Sequence, residues 1–137
     1  MSAASDYLED KLLDHVLTST GYASPNASLY LALFTSSGGL ENNTAGSQTE
    51  ISTSGSAYAR QSIAFGSASS GSSSNSATVT FPAATANWGT VSHVAITDNS
   101  TAGSGNILFY GAVTTSKTIE SGDTFQVSSG NLTISLA

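Results

Sequence analysis

The sequence predicts a mainly β, single-domain protein: an antiparallel β-sandwich or barrel of about seven strands with one N-terminal α-helix. A single helical pattern stands near the N-terminus, over residues 6–20. Short apolar or alternating segments follow over residues 28–136 with no helical pattern between them, which excludes alternating βαβ units. Ser, Thr and Gly fill the intervals and are typical of turns and of solvent-facing strand positions. We therefore expect residues 1–137 to form one domain around one core.

The predicted helix begins near Asp6, because Asp6 and Glu9 resemble a capping box. It ends before Gly21, a residue type common just past helix ends. Two interpretations stay open: the helix packs on one side of the sheet, or it docks on a neighbouring subunit. Its apolar residues recur at helical spacing: Leu8, Leu12, Leu13, Val16 and Leu17.

The β-region contains one strand with apolar residues on both faces, 28–35, which predicts a central position in a sheet. A second such strand is 107–114, and Ile119 begins another short element. The turn at 128–131 predicts a β-hairpin between 125–127 and 132–136. The remaining predicted strands are 57–65, 76–81 and the run that follows Trp88.

Residues 87–98 hold the single Trp and one of the two His residues. Trp88 is predicted to be a structural anchor at the start of a buried strand, because a lone Trp in this position is more often part of the core. Neighbouring strand residues point to opposite faces, so we expect Ser92 and His93 not to meet. A Ser-His-Asp arrangement with Asp98 is therefore not expected.

The interval 36–55 loses all periodicity and is predicted to be a long surface loop. Loops of about 20 residues are uncommon in compact domains and often functional. The loop therefore either contacts a partner or is a solvated segment without a further role. Arg60, the single Arg, is expected to pair with an acidic group or to cap carbonyl groups. The predicted interface positions are Glu41, Asn42, Asn43, Tyr58, Arg60 and His93.

Composition excludes several classes of function. Three basic and nine acidic residues give a net charge of −6, which argues against binding to nucleic acid or to an anionic membrane surface. The chain contains no Cys, and its few acidic residues outside the helix lie in turns or loops. We therefore predict no enzymatic activity, no cofactor and no metal site. Residues 1–5 lack the features of a secretory signal, so synthesis and folding in a cytoplasm are expected.

Read together, several motifs resemble a family of small virion structural proteins of tailed bacteriophages, often labelled tail-fibre-like. The resemblance implies a structural component of the virion, made in the host cytoplasm, with no catalytic residues. The motifs run in order along nearly the whole chain: DYLEDKLLDH (6–15), LYLALFT (29–35), YARQ (58–61), VTFP (79–82), NWGTVSHVAI (87–96) and YGAVTTSKTIESGDTF (110–125).

The resemblance does not fix the place in the particle, and two functions remain open. In the first, the protein decorates or cements the capsid or particle surface through contacts with the major capsid or tail proteins. Copies of the chain are then expected to form homo-oligomers, such as trimers or higher rings. In the second, it is a tail-associated fibre or adhesin module that contacts host glycans through an aromatic platform of Trp88, Tyr58 and Tyr110.

Overall fold

The structure, a computed structural model, describes residues 3–25 and 28–136. It confirms a mainly β protein with antiparallel sheets and one helix near the N-terminus, and no closed barrel forms in the described chain. The helix α1 spans Asp6–Leu17, and a single 3₁₀ turn spans Ala45–Ser47. The strands are β1 (Ala3–Ala4), β2 (Tyr30–Phe34), β3 (Gln61–Ser62), β4 (Ser72–Ser74), β5 (Val79–Thr80), β6 (Gly89–Thr97), β7 (Ile107–Ile119), β8 (Gln126–Val127) and β9 (Thr133–Ser135).

The main sheet has five strands in the order β1-β7-β6-β2-β3, and every neighbouring pair in it is antiparallel. Two further pairs, β4–β9 and β5–β8, are also antiparallel. In the register of the main sheet, Leu31 lies opposite Ile96 and Ala32 lies opposite Ala95. The strands β6 and β7 follow each other in the chain and are antiparallel neighbours in the sheet, so residues 98–106 connect a β-hairpin.

Apolar side chains cover both faces of the main sheet. On one face, a large core includes Leu31 and Leu33 of β2 together with Phe81, Trp88 and Phe125. On the other face, a smaller cluster consists of Ala32, Phe34, Leu40, Ala95 and Ile107. Alternate residues of β2 therefore enter different cores, which confirms the prediction of a central strand covered on both sides.

The helix begins at Asp6 as predicted, but its capping residues and its C-terminal end differ from the prediction. Ser5, which is completely buried, is the N-cap, and its Oγ accepts a hydrogen bond from the Leu8 N–H at 3.3 Å. The Ser5 hydroxyl also donates to the Ile107 carbonyl, so the cap fastens α1 to β7. The helix ends at Leu17 because Thr18 takes an extended conformation and closes the last turn on the Asp14 carbonyl. Capping by Asp6 and termination at Gly21 were therefore wrong.

Very short strands explain why one predicted strand is mostly absent and why another strand was not predicted. Of the predicted strand 57–65, only Gln61–Ser62 pairs in the sheet, and Ala57 takes a left-handed φ of 60°. Residues 66–75, a Ser/Gly-rich segment with no strand pattern in the sequence, contain β4. Such strands are too short to show an alternating pattern in the sequence.

The predicted hairpin at the C-terminal end does not form. The turn is present, with the Asn131 N–H donating to the Ser128 carbonyl at 3.0 Å, but β8 pairs with β5 and β9 pairs with β4. Asn75, only 2% exposed, separates the two arms. Its Nδ2 donates to the Ala77 and Ser128 carbonyls at 2.8 and 3.1 Å, and its Oδ1 accepts from the Leu132 N–H at 2.9 Å.

The strand β7 is longer than predicted and forms an edge of the sheet over most of its length. It runs for 13 residues, joining the predicted strand 107–114 to the element at Ile119. Its outer neighbour β1 reaches only Phe109 and Tyr110. From Gly111 to Ile119 the outer edge pairs with no strand of the described chain, and Lys117 is its only charged residue.

The 36–55 interval lies on the surface but is fastened at several points. Leu40 is completely buried in the smaller core, and Ile51 is 4% exposed in the larger one. Two backbone hydrogen bonds tie residues 49–51 to the end of β2, from Thr35 N–H to the Thr49 carbonyl and from Ile51 N–H to the Leu33 carbonyl. The interval is therefore an ordered surface segment that is held by two buried apolar side chains, Leu40 and Ile51.

Candidate functional site

Arg60 and Glu50 form a buried ion pair, and further hydrogen bonds of Arg60 reach the distant segment 97–104. The two side chains are 1% and 8% exposed. The guanidinium contacts the carboxylate twice, with Nε–Oε1 at 2.7 Å and Nη2–Oε2 at 2.8 Å. Nη1 donates to the carbonyls of Asn99 and Ser104 at 2.8 and 2.9 Å and to Thr97 Oγ1 at 3.2 Å. Arg60 thus pairs with an acid and also caps carbonyls, and its predicted interface position is inside the protein.

Tyr58, a second predicted interface residue, belongs to the same buried network. It is 3% exposed, its hydroxyl donates to Glu50 Oε1 at 2.8 Å, and it accepts from the Leu33 N–H at 3.1 Å. Burial raises the pKa of the Tyr58 hydroxyl well above its usual value, and the negative charge of Glu50 raises it further. Tyr58 therefore stays neutral, and its hydroxyl donates a hydrogen bond to Glu50 Oε1, which also accepts one from Arg60 Nε.

Trp88 lies in the larger core, 5% exposed, and its Nε1–H donates to the Ser56 carbonyl at 2.8 Å. Its ring meets Tyr58 edge-on with centroids 5.4 Å apart, and Phe81 edge-on at 6.3 Å. This arrangement of aromatic rings is one that adds favourable contacts to simple burial. Because Trp88 and Tyr58 are enclosed, they do not form the surface platform for glycans that the sequence suggested.

Ser92 and His93 do meet, so the expectation that they point to opposite faces is wrong. Ser92 Oγ lies 2.8 Å from His93 Nδ1, and both residues are half-buried. The register of β6 against β7 shifts between Val91 and His93, and this irregularity breaks the simple alternation of side chains. Asp98 does not join them: its carboxylate accepts from the Asn106 N–H and from Asn106 Nδ2. Within residues 3–25 and 28–136, no carboxylate is hydrogen-bonded to His93.

The three predicted interface residues of the 36–55 interval have different surroundings. Glu41 and Asn42 are exposed, and the Glu41 carbonyl accepts from the Asp6 N–H at 2.8 Å. Asn43 is half-buried: its Oδ1 accepts from the Ile107 N–H at 2.8 Å and its Nδ2 donates to Asn106 Oδ1 at 2.9 Å. Asn43 therefore supports the β6–β7 connection, while Glu41 and Asn42 remain available to a partner.

Acidic residues surround the start of α1. Burial raises the pKa of the Tyr110 hydroxyl, and the nearby charges of Glu41, Asp6 and Glu9 raise it further. These groups come from β7, the 36–55 interval and the first turn of α1. The surface around the helix N-terminus is therefore negatively charged.

A cleft of about 400 Å³ opens between β7 and the chain that carries β8 and β9. Its floor is apolar and includes Val94 and Ile96. Its lining also includes residues with hydroxyl or amide side chains, namely Thr114, Gln126, Ser128, Asn131 and Thr133. The cleft presents the mixture of apolar and hydrogen-bonding groups found in small-ligand sites.

The described residues form neither a metal-binding cluster nor a membrane-spanning helix. Among the described residues, no three His, Asp or Glu side chains are arranged to hold a metal ion. No helix in the same part of the chain has the length and apolar character needed to cross a bilayer.

Comparison with known proteins identifies the family. Residues 3–135 match the profile of the family described as podophage GP4 fiber I protein gp80. The chain belongs to this family. The match runs from β1 to the last residue of β9, so it includes α1, the buried ion pair and all three sheets. No curated protein matches the sequence.

Membership confirms the resemblance to small virion proteins of tailed phages labelled fibre-like, and it makes the protein a structural component of a phage particle. Sequence reasoning missed Glu50 as the partner of Arg60, although it is one of the few acidic residues outside the helix. It also missed Asn75, which sits in a Ser/Gly-rich segment that resembles a simple turn. No periodic pattern marks either residue: Glu50 lies in the aperiodic 36–55 interval, and the partners Ser128 and Leu132 of Asn75 lie more than 50 residues along the chain.

Proposed function

We propose that the protein decorates or cements the surface of the phage particle through protein–protein contacts, with other virion proteins and with copies of itself. The observation that carries this proposal is the family match over residues 3–135. The partners are the major capsid or tail proteins. Copies of the chain associate as a homo-oligomer such as a trimer. The protein reaches the virion after synthesis in the host cytoplasm.

Two surfaces support contacts of this kind. The outer edge of β7 leaves backbone donors and acceptors unpaired within the described chain from Gly111 to Ile119, and a strand of another copy can add to such an edge. The exposed residues Glu41 and Asn42 lie beside the acidic surface at the start of α1. Of the other predicted interface residues, His93 is half-buried beside Ser92.

A map of purified particles at a resolution that shows strands tests this proposal. We expect the five-stranded sheet and α1 to fit repeated density on the particle surface, with contacts to a capsid or tail protein. Light scattering of the purified protein should give a mass that is a multiple of the chain mass. A monomer that is absent from purified particles would refute both parts.

A second candidate is an adhesin module that binds host glycans, and the cleft beside β7 favours it. The hydroxyl and amide groups of the cleft, such as those of Gln126 and Asn131, are suited to hydrogen bonds with sugar hydroxyls. Binding to a glycan array tests this candidate. Asn131→Ala should abolish a signal that arises in the cleft, whereas Thr53→Ala, at an exposed position far along the chain, should leave it unchanged.

A further inference from the structure

The helix α1 presents an outward face that the fold does not cover. A helix turns by about 100° per residue, which places six residues within about 120° of one another. We call this the outer face of α1, and it consists of Asp6, Glu9, Asp10, Leu13, Val16 and Leu17. The opposite side of the helix packs on the domain through Leu8, which is 5% exposed, and the half-buried Leu12.

The outer face changes character along the helix. Its first half is acidic, and Asp6, Glu9 and Asp10 are all exposed. Its second half is apolar: Leu13 is 57% exposed, Val16 73% and Leu17 74%. Spacings of three and four residues put these apolar side chains side by side, which is the pattern with which a helix fills a groove on a partner.

The fold holds this face in a fixed orientation. The Ser5 hydroxyl donates to the Ile107 carbonyl, and the Asp6 N–H donates to the Glu41 carbonyl at 2.8 Å. The start of α1 is therefore tied to β7 and to the 36–55 interval before any partner arrives. Preorganisation of this kind lowers the entropic cost of association.

Charge decides which partner fits. The chain has three basic side chains, and one of them, Arg60, is buried in the ion pair with Glu50. Lys11 lies on a different side of α1, over the Tyr7 ring at 5.7 Å, which leaves Lys117 on β7. A second copy with a net charge of −6 would bring mainly further acids toward Asp6, Glu9 and Asp10. The complementary surface is therefore basic and belongs to a different protein.

We propose that the outer face of α1 docks into an apolar groove on another protein of the particle. Leu13, Val16 and Leu17 fill the groove. Lys or Arg side chains at the end of the groove that receives the start of α1 pair with the acidic half of the face. This proposal rests on the proposed function, because it places the partner in the phage particle.

Photo-cross-linking in intact particles tests the proposal. A benzophenone amino acid replaces Val16 in one phage and the exposed Thr53 in a control phage, and the purified particles are irradiated. We expect the Val16 position to cross-link to a peptide of a different virion protein in a segment that contains Lys or Arg, and the Thr53 position not to cross-link to that segment. A cross-link to another copy of this chain, or none in particles that contain the protein, would overturn the proposal. Absence of the protein from particles would overturn the proposed function as well.

Substitutions separate the two halves of the face. Leu13→Ser combined with Leu17→Ser should lower the copies per particle at least tenfold while leaving the thermal unfolding of the free protein unchanged, since both side chains are already in water. Glu9→Gln combined with Asp10→Asn should weaken binding to the cross-linked partner, once purified, and flatten the fall of its affinity with added salt. Unchanged copy number in the first case, or unchanged salt dependence in the second, would contradict the assigned roles.

Discussion

Replacing Arg60 with Met is expected to destabilise the protein by about 3–5 kcal/mol, the cost of removing one partner from a buried ion pair. Met keeps the volume of the side chain but removes every donor. Five hydrogen bonds are lost, two to Glu50 and one each to Asn99, Ser104 and Thr97. The Glu50 carboxylate, 8% exposed, keeps only the Tyr58 hydroxyl and the Gly103 N–H.

This loss is large relative to the stability of a small domain, which is about 5–15 kcal/mol. For a chain of this length it corresponds to a fall of roughly 10–20 °C in the melting temperature. Urea titration followed by Trp88 fluorescence measures it directly, because Trp88 lies in the same core as Tyr58. Lys117→Met is the matched control: it also removes a cation, but from the exposed edge of β7.

The double variant Glu50→Gln with Arg60→Met separates the unpaired charge from the lost packing. We expect it to recover part of the loss, since no carboxylate is then left buried without a cation. If Arg60→Met lowers the free energy of unfolding by no more than Lys117→Met does, the conclusion that the buried ion pair stabilises the fold is refuted.

Three further predictions concern Tyr58, Asn75 and the glycines of the 98–106 connection. Because the pKa of Tyr58 is raised in the folded state above its ordinary value of 10.0, stability should be full below pH 10.0 and fall as the pH rises beyond it; alkaline urea titrations of wild type and Tyr58→Phe should show a steeper fall for the wild type. Asn75→Ala should cost about 2–4 kcal/mol, because it leaves buried backbone groups unpaired, and hydrogen exchange at the Leu132 amide should accelerate; unchanged exchange would contradict its role. Gly105→Ala should destabilise more than Gly103→Ala in thermal melts: both have positive φ, but a Cβ at Gly105 would lie 2.6 Å from Asp98 Oδ1, whereas none of the neighbours at Gly103 comes within 4 Å. Equal melting temperatures for the two variants would contradict that difference.

The long strands were predictable because their pattern is carried by many residues. Continuous apolar runs mark β2 and the first part of β7, and β-branched residues mark β6; all three lie in the main sheet. Apolar residues on both faces predicted a central position for β2, which the two core clusters confirm. The same pattern predicted a central position for 107–114, but beyond Tyr110 this part of β7 is an edge of the sheet. The fold class could therefore be inferred from these segments alone.

What could not be predicted depends on contacts between distant residues. The C-terminal hairpin fails because Asn75, more than 50 residues away, binds the groups of the turn at Ser128 and Leu132. The Ser92–His93 contact depends on a register shift that is a property of two strands and not of one. Local patterns carry no information on either.

The helix shows a different limit. Five apolar residues at helical spacing suggested one stripe, but Leu8 and Leu17 are nine residues apart and so lie about 180° from each other on the helix. Only the inward part of that set is covered. The sequence indicated an amphipathic helix, and the structure shows that its apolar residues serve two surfaces.

The free edge of β7 has a practical consequence for handling the protein. Open strand edges recruit other strands, and natural proteins often discourage this with a single Lys. Lys117 is the only charged residue between Gly111 and Ile119. We expect reagents that modify lysine amines, including common fixatives and fluorescent labels, to remove this charge and so favour uncontrolled association through the edge, beyond the proposed homo-oligomer. Labels are better attached through a cysteine introduced at an exposed position outside β7, such as Thr53.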